Sequence, residues 1–188
     1  MRSSPVLSLL WVTAALLPAS ALAGDPKFPT PEAASQYHVM VGELAALRHE
    51  PELAAQEFMK ALEVNGTPDL AMRAASLALV AKDEPLALKA AKRWQQLAPN
   101  EMDPREAVAR LALRAGDRAE VREQCEAIVT GHPGGPDEGF HQIAQMLAQE
   151  GGKKEDALAI MAQLRDQHAL RLIINHGRDH AHRGLRAC

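Results

Sequence analysis

The sequence predicts an all-α protein, built as an antiparallel helix-pair solenoid of about four repeats. Of its 188 residues, 47% are hydrophobic but only 3% are aromatic, so Ala and Leu supply most of the apolar content and favour helices over strands. Apolar residues recur at the i, i+3, i+4, i+7 spacing of one helix face. A common pattern also returns about every 34 residues, which is the length of a helix-turn-helix unit.

The first element is predicted to be an export signal. Arg2 gives a positive start, Val6 to Leu17 form an apolar run, and Ala21 to Ala23 form a small-residue cleavage site. We expect residues 1–23 to be removed after Ala23, leaving an exported, periplasmic protein with no stable membrane insertion. An uncleaved membrane anchor is the alternative, but the run is shorter than the roughly 20 residues that a spanning helix needs. The cleavage site has no adjacent Cys to accept a lipid, since the first is Cys125.

The next element, residues 24–34, is predicted to be an extended leader. It contains Pro26, Pro29 and Pro31 and shows no hydrophobic periodicity. The helical array is expected to follow it over residues 35–166.

Four helix pairs are predicted within the array. The residues that open the second helix of each pair are Ala54, Ala87, Val121 and Ala157, which are 33, 34 and 36 positions apart. Pro99 and Pro133 are 34 apart and each precedes a new unit. Short breaks at residues 49–51, 82–85, 116–117 and 151–152 contain the Gly, Asp and Pro residues typical of turns between helices.

This pattern resembles the tetratricopeptide repeat (TPR), whose helices cross closely at small residues. The matching positions are Gly42, Ala54, Ala75, Ala87, Ala109, Pro99 and Pro133. Residues 41–45, 73–79 and 87–99 also look like exported TPR proteins that partner a carboxyl-terminal processing protease. Members of that family are periplasmic adaptors that bring cell-wall hydrolases to the protease, so the resemblance implies this kind of partner.

The resemblance further implies a partner-binding groove lined by the first helix of each unit. The matching positions are Val39, Glu43, Leu47, Met72, Ser76, Leu79, Arg110, Leu113, Arg114, Gln142 and Met146. Arg110 and Arg114 are four residues apart, so their guanidinium groups are expected to converge on a carboxylate. The alternative is that both form surface ion pairs with Glu106 and Asp117.

No catalytic constellation is found, and a non-enzymatic scaffold without a cofactor is therefore expected. After residue 23 there are only two serines, Ser35 and Ser76, and neither lies in a GxSxG motif. Residues 131–136 are glycine-rich but lack the GK[ST] ending of a phosphate loop, so we interpret them as an inter-repeat turn. Cys125 falls on an apolar helix face and is expected in the core. The net charge of −3 gives no reason to expect nucleic acid as a partner.

The tail, residues 167–188, departs from the repeat pattern. It is predicted to be disordered or an incomplete repeat, and a truncated or frame-shifted end is a further reading. His176 and His180 are four residues apart, and with His182 or Cys188 they suggest an alternative function as a small periplasmic metal-binding protein. Four nearby arginines, Arg171, Arg178, Arg183 and Arg186, oppose a cation there.

Overall fold

The chain folds as a succession of α-helices. The computed structural model describes residues 27–150 and 153–185, with side chains as far as residue 170. These residues form eight helices and no strand, which confirms the predicted all-α class. The predicted signal peptide, residues 1–23, lies outside them. The helices are α1 (Pro31–Leu47), α2 (Pro51–Val64), α3 (Pro68–Val80), α4 (Glu84–Leu97), α5 (Asp103–Ala115), α6 (Arg118–Gly131), α7 (Pro136–Gln149) and α8 (Lys154–Leu185).

Local sequence signals explain where most of these helices begin. The side chains of Thr30, Thr67, Asp83 and Asp117 each accept a hydrogen bond from the backbone amide three residues later, at 3.0 to 3.3 Å. Such caps satisfy amides that have no partner within the helix. Proline occupies the first turn of α1, α2, α3, α4, α5 and α7, where its missing amide costs no helical hydrogen bond.

The turns at the predicted breaks after α1, α3 and α5 share one hydrogen bond. The amides of Glu50, Asp83 and Asp117 each donate to the carbonyl five residues earlier at 2.9 Å. The residue before each donor has a left-handed backbone, and at Gly116 (φ 79°) this is the usual glycine geometry. His49 and Lys82 have the same geometry, with φ 60° at each. The predicted break at 151–152 lies outside the described residues.

The helices pack in chain order, which gives a helical repeat-like arrangement. Each helix packs against the next, and further contacts join α5 to α7 and α6 to α8. The predicted small residues are buried where the helices meet, and the two predicted prolines lie in the turns that precede α5 and α7. These buried positions are Gly42, Ala54, Ala75, Ala87 and Ala109, and the prolines are Pro99 and Pro133.

Two hydrophobic clusters form the core and meet at α5. Val108 and Leu111 belong to the first cluster, which extends over α2, α3 and α4. Ala112 and Leu113 belong to the second, which extends over α6, α7 and α8. Because α5 packs on both sides, its two apolar faces join the first two units to the last two.

A buried carboxylate links α1 to α2. Glu57 is only 6% exposed, its Oε1 accepts a hydrogen bond from Nζ of Lys60 at 2.7 Å, and its Oε2 lies 2.7 Å from Nδ1 of His38. Burial alone raises the pKa of Glu57, but hydrogen bonds and charge from Lys60 and His38 outweigh burial and lower it. The carboxylate is thus ionised and paired at neutral pH.

Both ends of the described region differ from the predicted bounds. Helix α1 begins at Pro31, inside the predicted leader, because Thr30 and Pro31 form a cap and a first turn. Helix α8 continues from Lys154 to Leu185, past the predicted end of the array at residue 166. Across the residues searched, none of the helices combines the length and hydropathy needed to cross a membrane.

Candidate functional site

Five of the predicted groove residues line one depression between α3 and α5, which we call the α3–α5 depression. These residues are Met72, Ser76, Leu79, Arg110 and Arg114, and the other lining residues are Ala75, Trp94, Ala107 and Leu111. Its volume is about 150 Å³. The structure thus brings together side chains that come from two successive units of the sequence pattern.

One wall of the depression is apolar and accessible. Met72 and Leu79 on α3 are 43% and 38% exposed, whereas Leu111 on α5 is only 3% exposed and forms part of the base. The hydroxyl of Ser76 donates to the carbonyl of Met72 at 2.9 Å, so it bonds within its own helix. The wall therefore offers apolar contact rather than a free hydroxyl.

Trp94 is a lining residue that the sequence reasoning missed. It lies on α4, which is the second helix of its pair. The prediction took groove residues only from first helices, whereas Trp94 lines the depression from a second helix. The signal available in the sequence was the large side chain of Trp94, which is the only tryptophan of the predicted array.

The other wall carries two arginines, and both are paired within the chain. Nη2 of Arg110 donates to Glu106 at 2.9 Å, while Nε and Nη2 of Arg114 donate to Glu150 at 2.8 and 2.9 Å. This bidentate hydrogen bonding raises the pKa of Arg114. The predicted pairing with Glu106 is thus confirmed, but the predicted pairing with Asp117 is wrong, because Asp117 caps α6 instead.

A polar cluster behind this wall joins α5 to α7. Nε2 of Gln142 donates to Oε1 of Glu106, and the other oxygen of Glu106 accepts from Arg110. Nε of Arg110 and Oε1 of Gln142 are buried without a hydrogen-bond partner. A buried polar atom without a partner is costly, so the cluster has bonding capacity that the described protein groups do not use.

The three predicted groove residues of α1 lie outside the depression. Val39 is partly buried and packs against the first hydrophobic cluster, and Glu43 pairs with Arg73. Leu47 is 77% exposed. None of them lines the α3–α5 depression.

Two predicted groove residues are core residues instead. Leu113 is 1% exposed and Met146 is 2% exposed, and both pack in the second hydrophobic cluster. Neither side chain is accessible to a partner in this packing. The prediction assigned these positions by their spacing in the sequence. Which faces of α5 and α7 are covered is instead decided by the helices that pack against them.

Cys125 is buried, and the tail histidines considered as metal ligands lie outside the described side chains. Cys125 is fully buried, as expected of a core residue, and burial raises the pKa of its thiol to about 12. Among the side chains that the structure describes, no three His, Cys, Asp or Glu residues are grouped to hold a metal ion. The side chains of His176, His180 and His182 lie beyond those described.

Neither models of known protein families nor curated proteins yielded a match to this chain.

Proposed function

We propose that this chain is a non-enzymatic protein-interaction scaffold of the cell envelope. In this proposal the helix pairs form a TPR-like solenoid, and an exported protein or an extended segment of one binds at the α3–α5 depression. One observation carries the proposal: five residues that the TPR resemblance implies as partner contacts line a single accessible depression.

The size and lining of the depression favour a side chain of a partner protein as its occupant. At about 150 Å³ it is smaller than the roughly 300–1,000 Å³ typical of small-molecule sites. Met72 and Leu79 would contact an apolar side chain, and Trp94 would add aromatic surface. Aromatic and arginine residues are common anchors of protein interfaces.

The arginines would select the polar part of the partner. Each guanidinium already has a carboxylate partner, so an acidic group must compete with Glu106 or Glu150. Nη1 and Nη2 of an arginine offer further donors to a partner carbonyl without breaking the existing pair. We therefore propose a mainly apolar segment with backbone carbonyl groups near Arg110 and Arg114.

The state of Cys125 supports a role without covalent catalysis. A thiol with a pKa near 12 is almost fully protonated at neutral pH, and the nucleophile in cysteine chemistry is the thiolate.

The resemblance of residues 73–79 and 87–99 to exported adaptors extends the proposal to a specific class of partner. That class is a carboxyl-terminal processing protease together with its cell-wall hydrolase substrates.

Photo-crosslinking from the depression tests this function. A photoreactive amino acid replaces Ser76, which is exposed at the lining, and the crosslinked envelope protein is identified by mass spectrometry. The purified partner is then titrated with the wild type, with Leu79→Asp and with the control Leu53→Asp. Leu79 and Leu53 are 38% and 40% exposed, but only Leu79 lines the depression.

We expect Leu79→Asp to weaken binding at least about tenfold, which corresponds to about 1.4 kcal/mol, and Leu53→Asp to bind as the wild type does. Equal weakening by both variants would place the binding surface elsewhere. Substrate turnover by the purified protein would contradict the non-enzymatic part of the proposal.

A further inference from the structure

A second depression lies between α2 and α4, the second helices of the first two pairs, and we call it the α2–α4 groove. Its volume is about 300 Å³. Met59 and Leu62 of α2 form its apolar base and are 6% and 1% exposed. The α2–α4 groove and the α3–α5 depression have no described lining residue in common, so they are separate surfaces.

Three cationic side chains of α4 line this groove, whereas Glu63 is its one lining carboxylate. Lys89 precedes Lys92 by three residues and Arg93 by four, so the three cations lie on one side of the helix. Like charges four residues apart destabilise a helix. The whole chain has a net charge of −3. The groove therefore concentrates charge of the opposite sign, and a bound anion would relieve the repulsion.

The two lysines are compensated within the chain to different degrees. Nζ of Lys92 donates to Oε2 of Glu120 at 2.6 Å, and the Glu120 side chain is only 18% exposed. Nζ of Lys89 donates to Oε1 of Glu63 at 3.0 Å, but these side chains are 64% and 61% exposed. An exposed ion pair contributes little to stability. Lys89 can therefore exchange Glu63 for another carboxylate at little cost.

Arg93 is the cation of the groove that the chain leaves without a charged partner. Its Nη1 donates to Oε1 of Gln96 at 3.1 Å, and no carboxylate among the described residues forms an ion pair with it. A guanidinium group has five N–H donors, so it can bind a carboxylate without losing Gln96. A Cβ atom at Gly66 would lie 3.5 Å from Nη2 of Arg93, which places this group beside the turn after α2.

The shape of the groove favours an extended peptide over an enclosed small molecule. Its lining on α4 extends from Lys89 to Gln96, which is about 10 Å at the rise of a helix. An extended chain covers this length in about three residues. The rim residues Lys89 and Glu63 are mostly exposed, whereas a small-molecule site encloses most of its ligand.

We propose that the α2–α4 groove binds an extended acidic segment of a partner protein. Residues two apart in an extended chain point to the same side and are about 7 Å apart. Lys89 and Arg93 are separated by about 6 Å along α4. Two acidic residues with one residue between them therefore fit these two cations, and their methylene groups contact the base at Met59 and Leu62. The site does not require binding at the α3–α5 depression.

Selection from a random hexapeptide library displayed on phage tests the proposal. The full chain is expressed with its N-terminal segment, purified and immobilised, and the selection is repeated with Arg93→Gln and with the control Arg122→Gln. Arg93 and Arg122 are both exposed and each variant removes one positive charge, but only Arg93 lines the groove. Circular dichroism confirms that each variant is helical, and Lys89→Gln replaces Arg93→Gln if that variant misfolds.

We expect the wild type and Arg122→Gln to select peptides with two acidic residues separated by one, and Arg93→Gln to select none of them. A selected peptide is then synthesised and titrated by calorimetry. Arg93→Gln should weaken its binding at least about tenfold, and raising sodium chloride from about 0.05 to 0.5 M should weaken binding to the wild type. Leu79→Asp, which alters the α3–α5 depression, should bind as the wild type does, so the two proposed sites are tested separately.

Three results would overturn the proposal. The first is a wild type that selects no acidic peptides, including one that instead binds vesicles of phosphatidylglycerol. The second is equal binding of the selected peptide by Arg93→Gln and the wild type. The third is a loss of binding in Arg122→Gln or Leu79→Asp as large as that in Arg93→Gln, which would place the peptide outside the groove.

Discussion

Replacing Gly139 with alanine tests the packing of α7 on α6. A Cβ atom at Gly139 would lie 2.7 Å from the Cα of Val129 and 3.2 Å from the carbonyl oxygens of Ile128 and Val129. These are backbone atoms of α6 and cannot rotate away. Helix α7 must therefore move away from α6 to accommodate one methyl group.

Two opposing effects determine the change in the free energy of unfolding. Alanine is favoured over glycine inside a helix by about 1 kcal/mol, whereas overpacking a closed interface costs about 1–3 kcal/mol. The contact at Gly139 is with backbone, so we take the upper part of that range and expect a net loss of about 2 kcal/mol. Gly131→Ala is the control. Its Cβ would approach only Cε of Met102, at 3.2 Å, and this flexible side chain can move.

Urea unfolding followed by helical circular dichroism measures both changes. We expect Gly139→Ala to unfold at a clearly lower urea concentration, and Gly131→Ala to stay within about 0.5 kcal/mol of the wild type. If Gly139→Ala were as stable as the wild type, the close approach of α6 and α7 would be refuted. A loss in Gly131→Ala as large as that in Gly139→Ala would refute the argument from backbone contact.

Three further predictions test the core and the buried ionisable groups. Leu113→Ala should lose about 2–5 kcal/mol in urea unfolding and Leu79→Ala less than about 1 kcal/mol; equal losses would contradict the core position of Leu113. The lowered pKa of Glu57 stabilises the fold above its ordinary pKa of 4.5, and this contribution is lost as the pH falls through the lowered value. Glu57→Gln should accordingly be less stable than the wild type at neutral pH by about 1 kcal/mol, and a difference that does not shrink in acid would refute the pairing. Cys125 should resist iodoacetamide in the folded protein at neutral pH and react after unfolding, as followed by mass spectrometry of its peptide; rapid labelling in the folded state would contradict its burial.

Local signals in the sequence were sufficient to predict helices and the turns that follow α1, α3 and α5. The i, i+3, i+4 periodicity predicted the helix pairs, because the buried side of a helix repeats with its turn. The small residues Ala54 and Ala87 were recognised because close helix packing excludes larger side chains. The left-handed backbone conformation of His49 and Lys82 was not predicted, since residues other than glycine seldom adopt it.

Packing between helices decided most of what was not predicted at the site. Leu113 and Arg114 are adjacent in the sequence, yet one is in the core and the other lines the depression. Arg114 pairs with Glu150, a residue 36 positions away, because the position of α7 brings the end of that helix to α5. Trp94 reaches the same depression from α4.

The sequence by itself determined the all-α class, the turns after α1, α3 and α5, and the small residues at the helix crossings. These features depend on side-chain size, caps and periodicity, which act over a few neighbouring residues. Only the tertiary structure decided which predicted groove residues are accessible and which carboxylates pair with the arginines. Accessibility and pairing depend on how helices from distant parts of the chain are placed against each other. Spacing along the sequence does not specify that placement.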